Sequence, residues 1–472
     1  MRLNSQFKTQ NSKLQKLVPL LLDWFAANAR DLPWRRTRDP YAIWISEIML
    51  QQTQVKTVIP FWNRWMHELP TIEAAAKASP AKIHKLWEGL GYYTRVRNLQ
   101  KAAKQIVAES RRRGNESQIK EKSKTPHVVS YKFPDNFDDV LALPGIGRYT
   151  AGAICSIAFN QPTPILDGNV IRVLTRIFGI EENPREKETN ARLWQIAGEL
   201  VGRAKTTKEA KKKKTSRPSR SSREINPCSF LNQSLMELGA LVCAPRNPQC
   251  PICPVRKLCV AFHENCIEEL PNLGKRKTAT ARRFVAFVVE RDGRFLVRQR
   301  PAGVVNAHLW EFPNVEVAAG ILPAVEPGVP PGGKNARNLK PVNISRKTPG
   351  GKMPPSTAGG TSTATLLAHV ANNLGLELRD AKPLSTVKHS ITRYRITLEA
   401  YRAYLGGMSS TSPHSKKVKS GIRVTRPSEA IGVWLTPAKL DSLALTSAHR
   451  KIVERLNSKM AQPANGDPRC DA

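Results

Sequence analysis

Apolar positions recur at helical spacing through the first part of the chain and at every second position further on. Leu14, Leu17, Val18, Leu21, Leu22 and Phe25 fall three or four residues apart, which predicts an amphipathic helix over 14–28. Pro33 and Pro40 then impose an extended, irregular connection. A second helix is predicted from about Tyr41 to Gln54, with Ile43, Trp44, Ile48, Met49 and Val55 toward its buried side and Glu47 set among them. Residues 55–107 read as short helices with turns at Pro70 and Pro80, and 110–132 are polar and aperiodic, an insert. Helical pattern resumes after Pro134, stops near Leu141, and passes through Leu143-Pro144-Gly145-Ile146-Gly147 before a helix beginning at Tyr149. It breaks again at Asp167-Gly168-Asn169, ahead of Val170, Ile171, Arg172 and Val173, and then continues through Trp194 and Leu200. Beyond about residue 280 the period becomes two. Strands alternate around an Asp292-Gly293 hairpin, and the stretch from His308 to Val317 adds another. A Pro/Gly-rich insert follows over 318–360, then a helix over 362–375, further strands from Ser385 to Leu405 and a helical end. The order predicts a mainly α first half and a β-rich α+β second half.

Charge narrows the partner. The 472 residues suffice for two or three domains, and a formal net charge of +37 exceeds what solubility requires. Such an excess points to a polyanion, and to nucleic acid over membrane because no long apolar span occurs. Part of the charge lies in a second insert at about 202–224, which holds ten basic and two acidic residues and forms no core of its own. The first residues lack the shape of a signal peptide, since Asp23 interrupts their apolar run and no small-residue cleavage site follows; the expectation is an intracellular protein. Eight cysteines in such a chain indicate metal or cluster ligation before disulfides. Cys243, Cys250, Cys253 and Cys259 are close enough in sequence to surround one centre, a [4Fe–4S] cluster or zinc, and spacing alone does not choose between them. Cys155, Cys228, Cys266 and Cys470 show no such arrangement.

Three further places carry candidate chemistry. Gly145 and Gly147 let the backbone present N–H groups at the next helix's N-terminus, a site suited to one backbone phosphate. Asp167 is expected at or just before a helix N-terminus near that hairpin, where Asp is also a common cap. Glu47 among apolar neighbours is desolvated, which raises its pKa and prepares it to donate a proton near neutral pH; an exposed or ion-paired Glu is the alternative. Tyr92 and Tyr93, on a loop loosened by Gly89 and Gly91 and beside Arg95 and Arg97, suit base stacking with phosphate neutralisation, or equally a place in the core.

The stretch LPGIGRYTA resembles the helix-hairpin-helix of the DNA glycosylase superfamily that includes endonuclease III. LDGNV, SEIMLQQTQV and GLGYY resemble segments of its MutY branch, the adenine DNA glycosylases, and the cysteine spacing resembles the iron–sulfur motif of both branches. The second half resembles the Nudix-like C-terminal domain of MutY enzymes, but LLAHVANNLGL lacks every carboxylate of a catalytic Nudix helix. The resemblance implies a helical catalytic region over 1–266, made of a six-helix module at about 36–166 and a cluster module from 1–35 plus 167–266. A linker over 267–282, a Nudix-like lesion-reading domain over 283–456 and a flexible tail over 457–472 follow. It assigns Glu47 as the acid that protonates the departing adenine, Asp167 as the ionised partner of the sugar cation, and Tyr149 and Asn169 as groups that orient them. It carries Gln52, Thr53, Leu90 and Tyr92 to contacts around the lesion pair, Arg30 and Arg35 to the extruded-base pocket, and Gly145 and Gly147 to phosphate. His389 matches the family's lesion-probing loop, whereas Lys388 replaces its usual serine.

The implied cofactor is one [4Fe–4S] cluster held by Cys243, Cys250, Cys253 and Cys259. The implied partner of a monomeric enzyme, with no membrane association, is duplex DNA carrying adenine opposite 8-oxoguanine or guanine, in cytoplasm or nucleoid if the host is bacterial. Tyr149 stands where bifunctional relatives carry a lysine nucleophile, and a phenol cannot form the Schiff base of strand cleavage, so base removal without efficient lyase activity is expected. The rival readings are a noncatalytic DNA-binding protein and a nucleotide-pool hydrolase acting through the second half.

Overall fold

The computed structural model describes residues 2–120, 132–212, 226–274, 278–317, most of 367–405 and 432–460. The chain divides into two compact units, Met1–Lys277 and Thr278–Ala472. No described helix is long and apolar enough to cross a membrane.

The first unit is helical: α1 (Arg2–Asn28), α2 (Pro40–Leu50), α3 (Val55–Glu68), α4 (Ile72–Lys77), α5 (Pro80–Leu86), α6 (Thr94–Lys120), α7 (Phe137–Leu141), α8 (Arg148–Phe159), α9 (Gly168–Phe178), α10 (Lys187–Lys212), α11 (Pro227–Leu241) and α12 (Val260–His263). Sequence punctuation sets the boundaries. Asp39 caps α2 by accepting from Tyr41 N, with Pro40 at the first helical position, where its missing N–H costs nothing. Thr71, Ser79 and Asn136 cap α4, α5 and α7 in the same way. The stripe read at the start of the chain faces inward: Leu14, Leu17, Val18 and Leu21 pack with Val170, Val173, Leu174 and Ile177 of α9, and with Leu231, Leu235 and Leu238 of α11. Edge-on contact between the buried indoles of Trp65 and Trp87, 5.8 Å apart, ties α3 to the end of α5.

Five boundaries differ from expectation, beginning with the first helix, which starts at Arg2 and not near Leu14. The second helix ends at Leu50, not near Gln54, because Gln51 turns away from helical geometry and Gln52 takes a left-handed φ of 57°; Val55 opens α3. It is also buried all round, from Tyr41 to Met49, where the pattern gave it one buried side. The insert placed at 110–132 begins as helix, since α6 runs to Lys120, and the insert at 202–224 begins inside α10, with Ala204 fully buried. The expected linker over 267–282 starts as a packed segment: Leu270 is buried and its carbonyl accepts from Arg176 Nε at 2.9 Å.

The second unit is a mixed sheet of β1 (Thr280–Arg291), β2 (Arg294–Gln299), β3 (Trp310–Glu311), β4 (Asn314–Val317), β5 (Leu378–Ile391), β6 (Tyr394–Leu405) and β7 (Val433–Leu435), with helices Pro437–Ser442 and Ser447–Met460. The order is β3-β2-β1-β6-β5; β1 and β6 run parallel, and β4 and β7 pair with β1 and β2. Asp292 (φ 51°) and Gly293 (φ 66°) make the expected tight turn. Alternation along β1 separates two apolar cores: Ala286 and Val288 face one, Val285, Phe287 and Val289 the other. Both faces of this central strand are therefore covered, which the pattern of a half-solvated strand did not indicate. Leu367, Ala371 and Leu376 join the second core, while most of the helix expected at 362–375 and all of the 318–360 insert lie outside the described residues. The α+β layering accords with a Nudix-like arrangement.

Candidate active site

A hairpin and a loop bring two carboxylates into one cleft. Leu143 and Ile146 are buried and anchor the hairpin, leaving Gly145 and Gly147 exposed. Gly145 has φ +79°, and a Cβ there would stand 2.6 Å from Asn98 Cβ, so only glycine fits. Gly147 is the N-cap of α8, whose first turn carries Tyr149. At the start of α9, Asp167 is the N-cap: Val170 N donates to its Oδ1 at 2.7 Å and Asn169 Nδ2 to its Oδ2 at 3.0 Å. From the buried helix α2, Glu47 accepts a 2.8 Å hydrogen bond from Tyr149 Oη. The four residues expected to do chemistry thus meet in one place, together with Met236, whose sulfur lies 3.3 Å from the same hydroxyl.

Their protonation follows from these partners. Burial pushes the Glu47 carboxyl up to about 7; the Tyr149 hydrogen bond and the Arg35 charge oppose this, and the charge of Asp167 adds to it. Burial leaves Asp167 raised as well, although Val170 N, both the side chain and the backbone of Asn169, and the Arg172 charge partly offset it. Asp167 has the richer set of donors, so a proton held by the pair resides on Glu47. Tyr149 is raised well above the usual phenol range by burial and by both carboxylates, and keeps its proton.

The cleft has a cavity volume of about 530 Å³. Arg30, Arg35, Gln52, Thr53, Glu47, Tyr149, Asp167 and Asn169 all line it. Arg30 and Arg35 converge on Glu237 of α11, with nitrogen–oxygen distances of 2.7 and 2.9 Å, and Glu237 is 1% exposed. Burial would raise Glu237, but the hydrogen bonds from Arg30 and Arg35 outweigh it and hold the carboxyl down at about 2. Sequence reasoning missed Glu237, although it stands alone in the apolar run of α11 as Glu47 does in α2. Tyr92 is exposed, whereas Leu90, expected beside it at the lesion, is buried at 6% exposure.

Arg172 was missed as well. It lies in α9, buried, and links the Asp167–Asn169 loop to the first cysteine: Nη2 donates to Asn169 Oδ1 at 2.8 Å and to Gly239 O at 2.7 Å, and Nε to Cys243 O at 2.7 Å. One turn on, Arg176 donates to Ala244 O at 2.8 Å and approaches Cys243 Sγ at 3.4 Å. Two arginines four apart in an apolar helix were the available signal. Cys243, Cys250, Cys253 and Cys259 line one apolar space with Arg176, Val173 and Leu238. Among the described residues, no three His, Cys, Asp or Glu side chains converge as they would on a single ion.

In the second unit, Lys388 and His389 lie within β5, inside the strands read from Ser385 to Leu405, paired with Thr397 and Ile396 of β6; the stretch that matches the family's lesion-probing loop is strand here. Strand alternation turns them to opposite faces. Lys388 is exposed, while His389 is half-buried with an unpartnered Nδ1.

The family described as HhH-GPD superfamily base excision DNA repair protein matches residues 45–199. Adenine DNA glycosylase from Arabidopsis thaliana is 35% identical over 357 residues, covering 64% of this chain and 48% of that protein. Adenine DNA glycosylase from Buchnera aphidicola subsp. Schizaphis graminum is 34% identical over 298 residues, covering 63% of this chain and 74% of that protein. The chain thus spans about half the length of the plant relative. Among solved structures, a thermostable thymine-DNA glycosylase is 27% identical with a TM-score of 0.42, covering 54% of this chain and 98% of that one.

Proposed function

The chain belongs to the adenine DNA glycosylase family, and from that membership we propose that it hydrolyses the N-glycosidic bond of adenine opposite 8-oxoguanine or guanine in duplex DNA, without efficient strand cleavage. The observation that carries this reading is the pairing of buried Glu47 with half-buried Asp167, with Glu47 raised to about 7 and hydrogen-bonded to Tyr149. Breaking the bond needs a proton on the leaving base and negative charge beside a sugar that becomes oxocarbenium-like. Glu47 donates the proton. Asp167 stays ionised through Val170 N and Asn169 and stabilises or captures the sugar cation. Tyr149 holds Glu47 by one oxygen and leaves the other free for the base. The target adenine must leave the stack first, at a cost of about a few kcal/mol that is lowest at a mispair. Arg30 and Arg35, spread on Glu237, wall the cleft that receives it. Tyr92, Gln52 and Thr53 contact the duplex around the mispair, Gly145 and Gly147 grip backbone phosphate, and Lys388 and His389 read the opposite base. The basic balance of +37 suits DNA as partner.

Cys243, Cys250, Cys253 and Cys259 would hold a [4Fe–4S] cluster. The donor set fits: four thiols line one apolar space, and an all-cysteine set of four is the donor chemistry such a cluster takes. Such a cluster supplies structural cross-linking of the loop that carries Arg246, Arg256 and Lys257. Through Arg172, the loop's first cysteine is also tied to the Asn169 side chain that holds Asp167.

The test is single-turnover adenine release from duplexes with adenine opposite 8-oxoguanine, guanine or thymine, with and without alkali, alongside borohydride trapping. Release from the first two, strand breaks only after alkali and no efficient trapped adduct are expected. Equal release from all three, or efficient trapping, would overturn the specificity or the monofunctional reading respectively.

A further inference from the structure

Arg95, in the first turn of α6, aims its guanidinium at backbone. Nη1 donates to Ile48 O at 2.8 Å, Met49 O at 3.4 Å and Gln51 O at 2.6 Å. Nη2 donates to Leu90 O at 3.0 Å and Gly91 O at 3.2 Å. Its plane lies 5.4 Å from the ring centroids of both Trp87 and Tyr92, and Trp87 Nε1 shares the Gly91 carbonyl at 3.1 Å. One edge of the fork therefore gathers the open carbonyls at the C-terminal end of α2, where a cation is favourable. The other edge gathers the loop over 89–92. Each of these segments holds a non-glycine residue in left-handed geometry, Gln52 at φ 57° and Tyr92 at φ 47°. Each follows directly on a carbonyl bound by Arg95, Gln51 O and Gly91 O. Strained backbone of this kind persists only where surrounding contacts over-determine it. The arrangement is costly: burial lowers the guanidinium to about 10, and its Nε is buried without a partner.

We propose that Arg95 is a positioning residue that locks the Gln52 turn, the Tyr92 loop and the end of the Glu47 helix into one preset unit, so that both side chains engage the duplex together. The inference rests on the proposed placement of Gln52 and Tyr92 at the mispair. Lysine keeps the charge but not the planar fork, and cannot serve both edges.

The experiment is a coupling cycle on the full chain: single-turnover adenine release and fluorescence-anisotropy binding with an adenine·8-oxoguanine duplex. Gln52→Ala, Tyr92→Ala and the double variant are measured with Arg95 and with Arg95→Lys. With Arg95, the double variant should lose at least about fivefold less than the product of the single losses. With Arg95→Lys, the losses should multiply to within about twofold, and Arg95→Lys itself should slow release by about tenfold or more at a near-native melting temperature. Multiplying losses in the Arg95 background, or coupling that survives Arg95→Lys, would overturn the proposal. Should Arg95→Lys not fold, Arg95→Gln, which also lacks the two-edged fork, takes its place in the cycle with the same expected and overturning results. Should wild type release no adenine, the functional reading fails and the binding cycle still tests Arg95.

Discussion

Replacing Glu47 by Gln should stabilise the protein at alkaline pH while abolishing base release. Glu47 is 5% exposed and its carboxyl is raised from 4.5 to about 7, chiefly by burial. Each pH unit of such a rise corresponds to about 1.4 kcal/mol, so ionising Glu47 inside the folded protein costs about 3 kcal/mol. The sign follows from linkage. The protonated form is favoured by folding, so its contribution is complete below the unfolded value of 4.5 and is lost as pH rises through about 7. Glutamine keeps the acceptor for Tyr149 and cannot ionise, so the variant escapes that loss. Between about pH 5 and pH 8 its stability relative to wild type should rise by about 2–3 kcal/mol, since most but not all of the transition falls in that range. For a unit of this size this is roughly 5–10 °C in melting temperature, followed by circular dichroism at both pH values. The difference between the two proteins isolates Glu47 from every other titrating group. The same variant should release adenine at least about a hundredfold more slowly. A wild-type-to-variant gap that is flat with pH, or a variant less stable than wild type at pH 8, would refute a desolvated Glu47.

Gly239→Ala should impair chemistry more than folding, because its Cβ would lie 2.7 Å from Asn169 Cβ and 3.1 Å from Asn169 Cα and O, displacing the loop that holds Asp167. Base release should fall by about 10–100-fold with the melting temperature within a few degrees of wild type, and an unchanged rate would show that the loop tolerates the shift. Cys253→Ala should yield protein without the brown colour of an iron–sulfur cluster and with reduced thermal stability, read by visible absorption and iron content; full iron content would contradict the assigned ligand set.

The N-terminal helices and the two chemical loops were legible because their signals are local. The apolar spacing from Leu14 to Phe25, the Gly145 turn and the Asp167 break each declare themselves within a few residues. What the pattern missed is set by partners far away in sequence. Glu237 reads as one acid in an apolar helix until Arg30 and Arg35, about two hundred residues earlier, close on it. Arg172 and Arg95 satisfy mainly backbone carbonyls, which leave no trace in side-chain periodicity. The strands carrying Lys388 and His389 were legible from Ser385 on, but the start of β5 at Leu378 was not, because it is held by register partners in β6 such as Leu405 and Tyr404. Helix α2 looked one-sided because Ser46 and Glu47 count as polar, yet both are buried.

The most direct measurement is the pH dependence of the single-turnover rate of adenine release from the adenine·8-oxoguanine duplex, with DNA saturating. The rate should fall about tenfold per pH unit above an apparent pKa near 7, as Glu47 loses the proton it must donate. Tyr149→Phe removes the hydrogen bond that lowers Glu47, and should move that limb to higher pH. A rate that is level or rising through pH 7–9 in the wild type would contradict Glu47 as the acid, and with it the account of the paired carboxylates.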